Sequence, residues 1–338
     1  MAGILHLGLD RLFIASSALV RHNPLKWVEP PEVNVDIPMG DDLPEPDRLG
    51  VVWPREACVL EVPAPTRFLE APNDRMYIHF WPARGPRRGA VVLAPPWKFT
   101  VWASLWPVAR VLNALGFDVA GYSTPYHFER TPPGAFSGEL FATWDMPRTG
   151  WAVRAAVLEL CALIESLQSR GPVALLGTSL GGYLSAMTTV VSGRYPRRAF
   201  VPERVCLVVP PDSILDTFLK SPIGERYRRL LLANGGSIPD EHFLRHLSRP
   251  FSPSNFAPAV PGERIQVLAA RHDVMVPLES SQRLAAAWGA RFRVYEAGHV
   301  SALGLSWGVW RDAAGFLEEV PRAGQGPGPE RARERPGA

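Results

Sequence analysis

The residues Gly177-Thr178-Ser179-Leu180-Gly181 set a serine between two glycines, directly after the apolar run Val173–Gly177 and directly before a helical pattern over Leu180–Val191. A serine in a sharp strand-to-helix turn is the arrangement of an acyl-transfer nucleophile. The turn lifts the hydroxyl above the sheet, and the glycines let strand and helix approach where a Cβ would collide. The backbone N–H of Leu180 would then face a developing oxyanion, with the positive field of the helix start behind it. A Gly-rich β-α turn with an incidental serine has the same five residues. The strand before and the helix after favour the nucleophile.

A serine hydroxyl is a poor nucleophile until a base takes its proton, and a histidine base needs a carboxylate to orient it. In proteins built on such an elbow the chain order is serine, acid, histidine. Asp273 follows the apolar run Ile265–Ala270 in Arg271-His272-Asp273-Val274-Met275-Val276-Pro277, and is the candidate acid. His299 follows Arg291–Tyr295 in Glu296-Ala297-Gly298-His299-Val300-Ser301-Ala302, in the loop after the next strand, and is the candidate base. Asp212 and Asp216, after the run Val205–Val209, are alternative acids, and Asp273 could instead cap the helix that follows it. None of His127, His242, His246 and His272 occupies the post-strand position that the order requires.

A second oxyanion donor would come from the loop after Val91–Ala94, which reads Pro95-Pro96-Trp97-Lys98. Neither proline has an N–H, so Trp97 is the candidate donor. The competing reading is a rigid turn that packs Trp97 over the core. Trp97, Trp102, Trp106, Tyr126 and Phe128 are candidates for aromatic walls of a substrate pocket, and His127 is kept as a pocket residue. Between Pro210 and Gly262 the residues Leu215, Phe218, Leu219, Leu230, Leu231, Leu232, Phe243 and Leu244 could line an acyl site. The same pattern is what any covering helix needs, and ordinary packing is the favoured reading.

These residues need a scaffold that gathers strand ends. Short buried-strand runs at Val91–Ala94, Asp118–Tyr122, Val173–Gly177, Val205–Val209, Ile265–Ala270 and Arg291–Tyr295 alternate with helical spacing at Trp102–Leu115, Gly150–Gln168, Leu180–Val191, Glu279–Trp288 and Trp307–Glu319. That rhythm predicts an α/β fold, a mainly parallel central sheet with helices on both faces and its working edge at the carboxyl ends of the strands. Cys58–Val62 and Met76–Trp81 read as an opening antiparallel pair. The alternation lapses at about 211–262, where helical pieces at Ser213–Leu219 and Glu225–Leu232 precede Pro-rich loop, the pattern of an inserted helical cap. Residues 1–56 read as an N-terminal helix and an extended Pro-rich arm, 57–320 as the main domain, and 321–338 as a disordered tail.

Composition excludes several function classes. Hydrophobic residues make up 46% of the 338, enough for a large core. The net charge is +3, and four Arg and two Glu in the tail supply two of those charges, so the body lacks the basic footprint of a nucleic-acid binder. Cys58, Cys161 and Cys206 lie in separate apolar runs, which argues against a disulfide framework or structural zinc. The first twenty residues are apolar, but no basic region precedes them and Asp10-Arg11 interrupts them. They predict an amphipathic helix that packs on the body, with contact at a membrane surface as the alternative. The reading is cytoplasmic, with that helix as the one candidate for peripheral membrane contact, and nothing in the sequence fixes the oligomeric state.

With strand, elbow, acid and histidine in order, residues 75–320 resemble the α/β-hydrolase superfamily. Gly177–Tyr183, the run Gly298–Ala302 and Trp307-Gly308-Val309-Trp310-Arg311 are similar to the group called α/β-hydrolase domain-containing protein eighteen, as is Thr124-Pro125-Tyr126 to that group's Asn-Pro-Tyr. The chain departs from the group at Pro95-Pro96-Trp97, where the group has a Gly-rich turn, and its cap is shorter. The resemblance implies Ser179 as nucleophile, Asp273 as acid, His299 as base, and ester or lipid substrates. The expected activity is hydrolysis of a carboxylic ester through an acyl-enzyme, with no metal and no cofactor. The alternatives are a non-catalytic binding protein, with the oxyanion site closed by the double proline, or an acyltransferase.

Overall fold

The computed structural model describes residues 2–17, 39–40, 42–67, 69, 71–143, 146–196, 198–233, 235, 237–238 and 240–322. The tail expected at 321–338 lies almost wholly outside the described residues, as does much of the arm before residue 39.

Eight strands form one sheet: β1 (Cys58–Pro63), β2 (Arg75–Trp81), β3 (Gly89–Ala94), β4 (Phe117–Tyr122), β5 (Val173–Thr178), β6 (Arg204–Val208), β7 (Ile265–Ala270) and β8 (Arg291–Tyr295). Their spatial order is β1-β2-β4-β3-β5-β6-β7-β8. β1 and β2 pair antiparallel, as do β2 and β4, and every later pairing is parallel.

The two-residue side-chain period divides the strands between two cores. Val92, Leu175, Leu207 and Val267 face one cluster with residues of α3 (Met146–Leu167), α4 (Leu180–Val191) and α8 (Leu278–Trp288). Val91, Leu176, Cys206 and Leu268 face the other, with α2 (Trp106–Ala114) and α10 (Trp307–Glu318). Both faces of β3, β5 and β7 are thus covered, which explains why their sequences are almost wholly apolar, with Gln266 near the start of β7 and Thr178 at the end of β5 as the polar exceptions. Cys161 and Cys206 are buried free thiols and Cys58 is partly exposed.

From β3 the chain adds β4 on one side, and β5 returns on the other, so the strand order reverses between β3 and β5. The loops leaving these two strands diverge there and open a crevice at the carboxyl edge, the general location of ligand sites in open α/β sheets.

Several elements differ from the sequence expectation. The helix expected over Trp102–Leu115 is a 3₁₀ turn, Trp102–Ser104, followed by α2. Pro107 lies in the first turn of α2, where its missing N–H costs nothing and its fixed φ favours a new helix start. The region expected as Pro-rich loop contains a third helix, α7 (Glu241–Ser248), beside α5 (Ile214–Lys220) and α6 (Pro222–Ala233). Asp240 caps α7 by accepting from the Phe243 N–H at 2.9 Å, and Glu241 pairs with Arg245 one turn on.

The N-terminal segment forms α1 (Ala2–Ser17), which packs against the short helix α9 (His299–Gly304). Asp10 is fully buried in this contact, whereas Leu12 is exposed. Among the described residues no helix is long and apolar enough to cross a membrane.

Candidate active site

Ser179 occupies the turn between β5 and α4 with φ +50° and ψ −114°, a left-handed backbone that a non-glycine residue rarely adopts. The turn is held by the Ser179 N–H donating to the Val208 carbonyl at 2.8 Å, and by the Thr178 hydroxyl donating to the Ala94 carbonyl at 3.2 Å. A Cβ on Gly181 would run into the Ala94 and Pro95 carbonyls, and one on Gly177 into the Gly181 carbonyl. Both glycines are therefore required by backbone contact, and the elbow is pressed against the loop that leaves β3.

The other two residues arrive from the segments after β7 and β8, which lie beyond β6 on that side of the sheet. β7 and β8 pair in register through Ala270 and Tyr295, and the loops beyond them stay joined by the His272 N–H donating to the Ala297 carbonyl at 2.9 Å. Asp273 Oδ1 accepts from the N–H groups of Met275 and Val276, at 2.9 and 2.7 Å, which fixes its carboxylate. Asp273 Oδ2 lies 2.7 Å from His299 Nδ1, and His299 Nε2 lies 2.9 Å from Ser179 Oγ. An ionised carboxylate only accepts, so the ring proton belongs on Nδ1 and Nε2 is left as an acceptor for the serine hydroxyl. Burial lowers the His299 pKa, but the charge and hydrogen bond of Asp273 and the charge of Asp10 outweigh it, and the net shift is upward.

Asp212 is not available to a histidine: its carboxylate accepts from the N–H and hydroxyl of Ser254 and from Arg283. The Asp216 side chain lies outside the described residues. His299 itself is not in a loop but is the first residue of α9.

A cavity of about 350 Å³ opens on Ser179 and His299. Its walls are Pro96, Trp97 and Phe99 from the loop after β3, Ile214 and Thr217 from α5, Met275 and Val276 beyond Asp273, and Leu303 and Trp310 from α9 and α10. His299 is the only titratable side chain among the described residues that line it. Leu180 also lines it, and as the first residue of α4 its N–H has no intrahelical partner. Trp97 lines the cavity, and its indole N–H donates to the Gly138 carbonyl at 2.8 Å.

Of the residues expected as pocket walls, Trp97 lines the cavity, whereas Trp102, Trp106, Tyr126, His127 and Phe128 lie elsewhere, Trp106 being exposed on α2. Trp102 stacks between His79 and Phe128, with ring centroids 4.6 and 4.7 Å apart, and covers Gly121 of β4, where a Cβ would strike its indole. Phe128 is tied into that stack. Tyr126 is drawn towards Asn73, whose side-chain oxygen accepts from the Tyr126 N–H at 2.7 Å, and its ring packs on the core. His127 is wholly buried, with Nδ1 2.8 Å from the Pro125 carbonyl and its ring edge-on to Phe141, and burial pushes its pKa down to about 4.

These positions follow from a buried ion pair that anchors the segment after β4. Arg130 and Glu159 are fully buried and bonded at 2.6 and 2.9 Å. Arg130 also donates to the carbonyls of Ser123 and Asn73, and the Tyr122 hydroxyl donates to Glu159. Sequence spacing marks none of these partners, because they lie up to 57 positions apart.

Of the cap residues considered as an acyl lining, Leu244 is buried and Leu232 is exposed. The side chains of Phe218, Leu230 and Leu231 lie outside the described residues. The residues that do line the cavity from this region, Ile214 and Thr217, sit at helical spacing on α5, which was the available signal.

Among solved structures, the chain is similar to an acylaminoacyl peptidase of Pyrococcus horikoshii, with 11% identity and a TM-score of 0.55 over 81% of this chain but only 42% of the peptidase. It is also similar to a cold-adapted esterase from an Arctic intertidal metagenomic library, with 16% identity and a TM-score of 0.51 over 80% of this chain and 100% of the esterase. A third similarity is to an esterase of Pyrococcus furiosus, with 16% identity and a TM-score of 0.51 over 82% of this chain and 99% of that one. No protein-family model and no curated protein sequence matches the chain. The strand order and these likenesses define an α/β-hydrolase fold.

Proposed function

We propose that the protein is a serine hydrolase that cleaves a carboxylic ester with an apolar acyl group. The observation that carries this reading is the unbroken chain from Ser179 Oγ through His299 to Asp273, with spacings of 2.9 and 2.7 Å, on the wall of an apolar cavity. In the first step His299 Nε2 takes the Ser179 proton as the oxygen attacks the ester carbonyl, and the alcohol leaves with a proton returned by the histidine. In the second step the same histidine activates a water that releases the acid. Asp273 keeps the ring in the competent tautomer and stabilises its charged form. The N–H groups of Leu180 and Trp97 are the proposed oxyanion donors.

The lining supports a neutral, hydrophobic ester, because among the described residues that line the cavity none besides His299 carries a titratable side chain to meet a carboxylate or phosphate. The closer kinship to the α/β-hydrolase domain-containing protein eighteen group is proposed on the motifs around Ser179 and His299.

The test is fluorophosphonate labelling with peptide mapping. The adduct is expected on Ser179 and is lost in Ser179→Ala with the fold intact. Labelling of Ser179→Ala at the wild-type rate would refute the assignment. Product analysis with added alcohol acceptors separates hydrolysis from acyl transfer.

A further inference from the structure

We infer that Asp10, on the N-terminal helix α1, is a positioning residue for His299: its carboxylate fixes the backbone that carries the imidazole and sets a second acidic group beside the ring. The inference rests on the serine-hydrolase reading above. Asp10 Oδ2 accepts from the His299 N–H at 2.9 Å, and Oδ1 accepts from the Val300 N–H at 2.9 Å. Oδ2 also receives the Val274 N–H at 3.4 Å, one residue beyond Asp273. A single side chain thereby spans the acid loop and the histidine loop.

The need for it is physical. α9 is only six residues long, and its first N–H groups have no partner inside the helix. Those of His299 and Val300 would be orphaned donors in a buried contact, and the Ser301 hydroxyl, which accepts from the Gly298 N–H at 2.9 Å, does not reach them. The packing is also close. A Cβ on Gly298 would press on the Asp10 carboxylate and the His6 carbonyl, so a larger residue there would have to displace them slightly.

Around the imidazole, Asp273 and Ser179 face the ring from the loops after β7 and β5. At the junction itself, His6 of α1 stacks on His272, with centroids 6.2 Å apart, while His272 and Arg271 bind the exposed carboxylate of Glu296. Glu296 is thus engaged on the outer side, and Asp10 and Asp273 are the carboxylates that act on His299.

The experiment compares the full chain with Asp10→Ala, Asp10→Asn and a control on the exposed side of the same helix, Leu12→Ser. The readout is kcat/KM for p-nitrophenyl butyrate against pH, normalised to sites titrated with fluorophosphonate. Asp10→Ala is expected to lose roughly 10²-fold at neutral pH, the scale of a displaced catalytic group. In both Asp10 variants the acid limb of the profile is expected to move to lower pH, and Leu12→Ser is expected to match the wild type. The midpoint of the limb is independent of how much protein folds, so a poorly folding variant still gives an answer. Wild-type rates with an unmoved limb would overturn the inference. So would a lower rate with an unmoved limb, which would leave Asp10 as a structural cap. A wild-type chain that neither labels nor turns over would instead remove the hydrolase reading itself.

Discussion

Ser179 Oγ and His299 Nε2 lie 2.9 Å apart although 120 positions separate the two residues in the chain. The contact is useful only while Nε2 lacks a proton, so activity must follow the titration of His299. Burial lowers its pKa, the Asp273 and Asp10 carboxylates raise it by more, and the net value lies above the ordinary 6.5. Activity is therefore expected to fall with acid through a midpoint above pH 6.5, read from kcat/KM against pH. A midpoint below that value would contradict the site. The same shift contributes stability that is fully present below about pH 6.5 and is lost as pH rises through the folded-state pKa, so this increment of stability and the activity run in opposite directions.

Gly181→Ala tests the contact between the elbow and the loop after β3. Its Cβ would meet the Ala94 and Pro95 carbonyls, which are backbone and cannot turn aside. Overpacking of this kind costs about 1–3 kcal/mol, and kcat should fall with it as Ser179 is displaced. Gly315→Ala, in α10 with open space around it, is the contrast: it should stabilise by about 0.5–1 kcal/mol with unchanged activity. Urea denaturation and ester turnover of both variants decide the point.

The cavity should read acyl length. Burying one methylene is worth about 0.8 kcal/mol, so kcat/KM should rise about fourfold per added carbon until the cavity is full. Leu303→Trp narrows the cavity from α9 and should move the optimum to shorter chains while p-nitrophenyl acetate is still cleaved. A flat response to chain length in the wild type would count against the apolar-acyl reading.

Arg130→Ala should destabilise the chain by about 3–5 kcal/mol, measured by urea denaturation. It leaves the fully buried Glu159 carboxylate without its ionic partner and removes donors to the Ser123 and Asn73 carbonyls. A loss under 1 kcal/mol would mean that the pair is dispensable.

The mainly parallel sheet is legible in the sequence because the buried strands are short, mostly apolar runs and each covering helix repeats its apolar residues at three and four positions. Ser179, Asp273 and His299 are legible for a related reason: each stands just past a strand, and strand ends meet on one edge. β8, which precedes His299, is nonetheless a largely exposed edge strand with two arginines and not the buried run expected there. Of the pocket walls, Trp97 was legible and most others were not. Trp102 and His127 are residue types common in binding sites, but a 3₁₀ turn packs the first against Gly121 of β4, within a core cluster, and the Arg130–Glu159 anchor draws the second inward.

What the sequence determined by itself was therefore local: the period of each element, the glycines that a tight turn demands, and the order of three reactive side chains. The tertiary structure alone decided which residues wall the cavity, and that Asp10 meets His299 from 289 positions away. Hydrogen bonds and buried charge act between groups that folding brings together, and no spacing along the chain encodes a contact made by two elements docked at their faces.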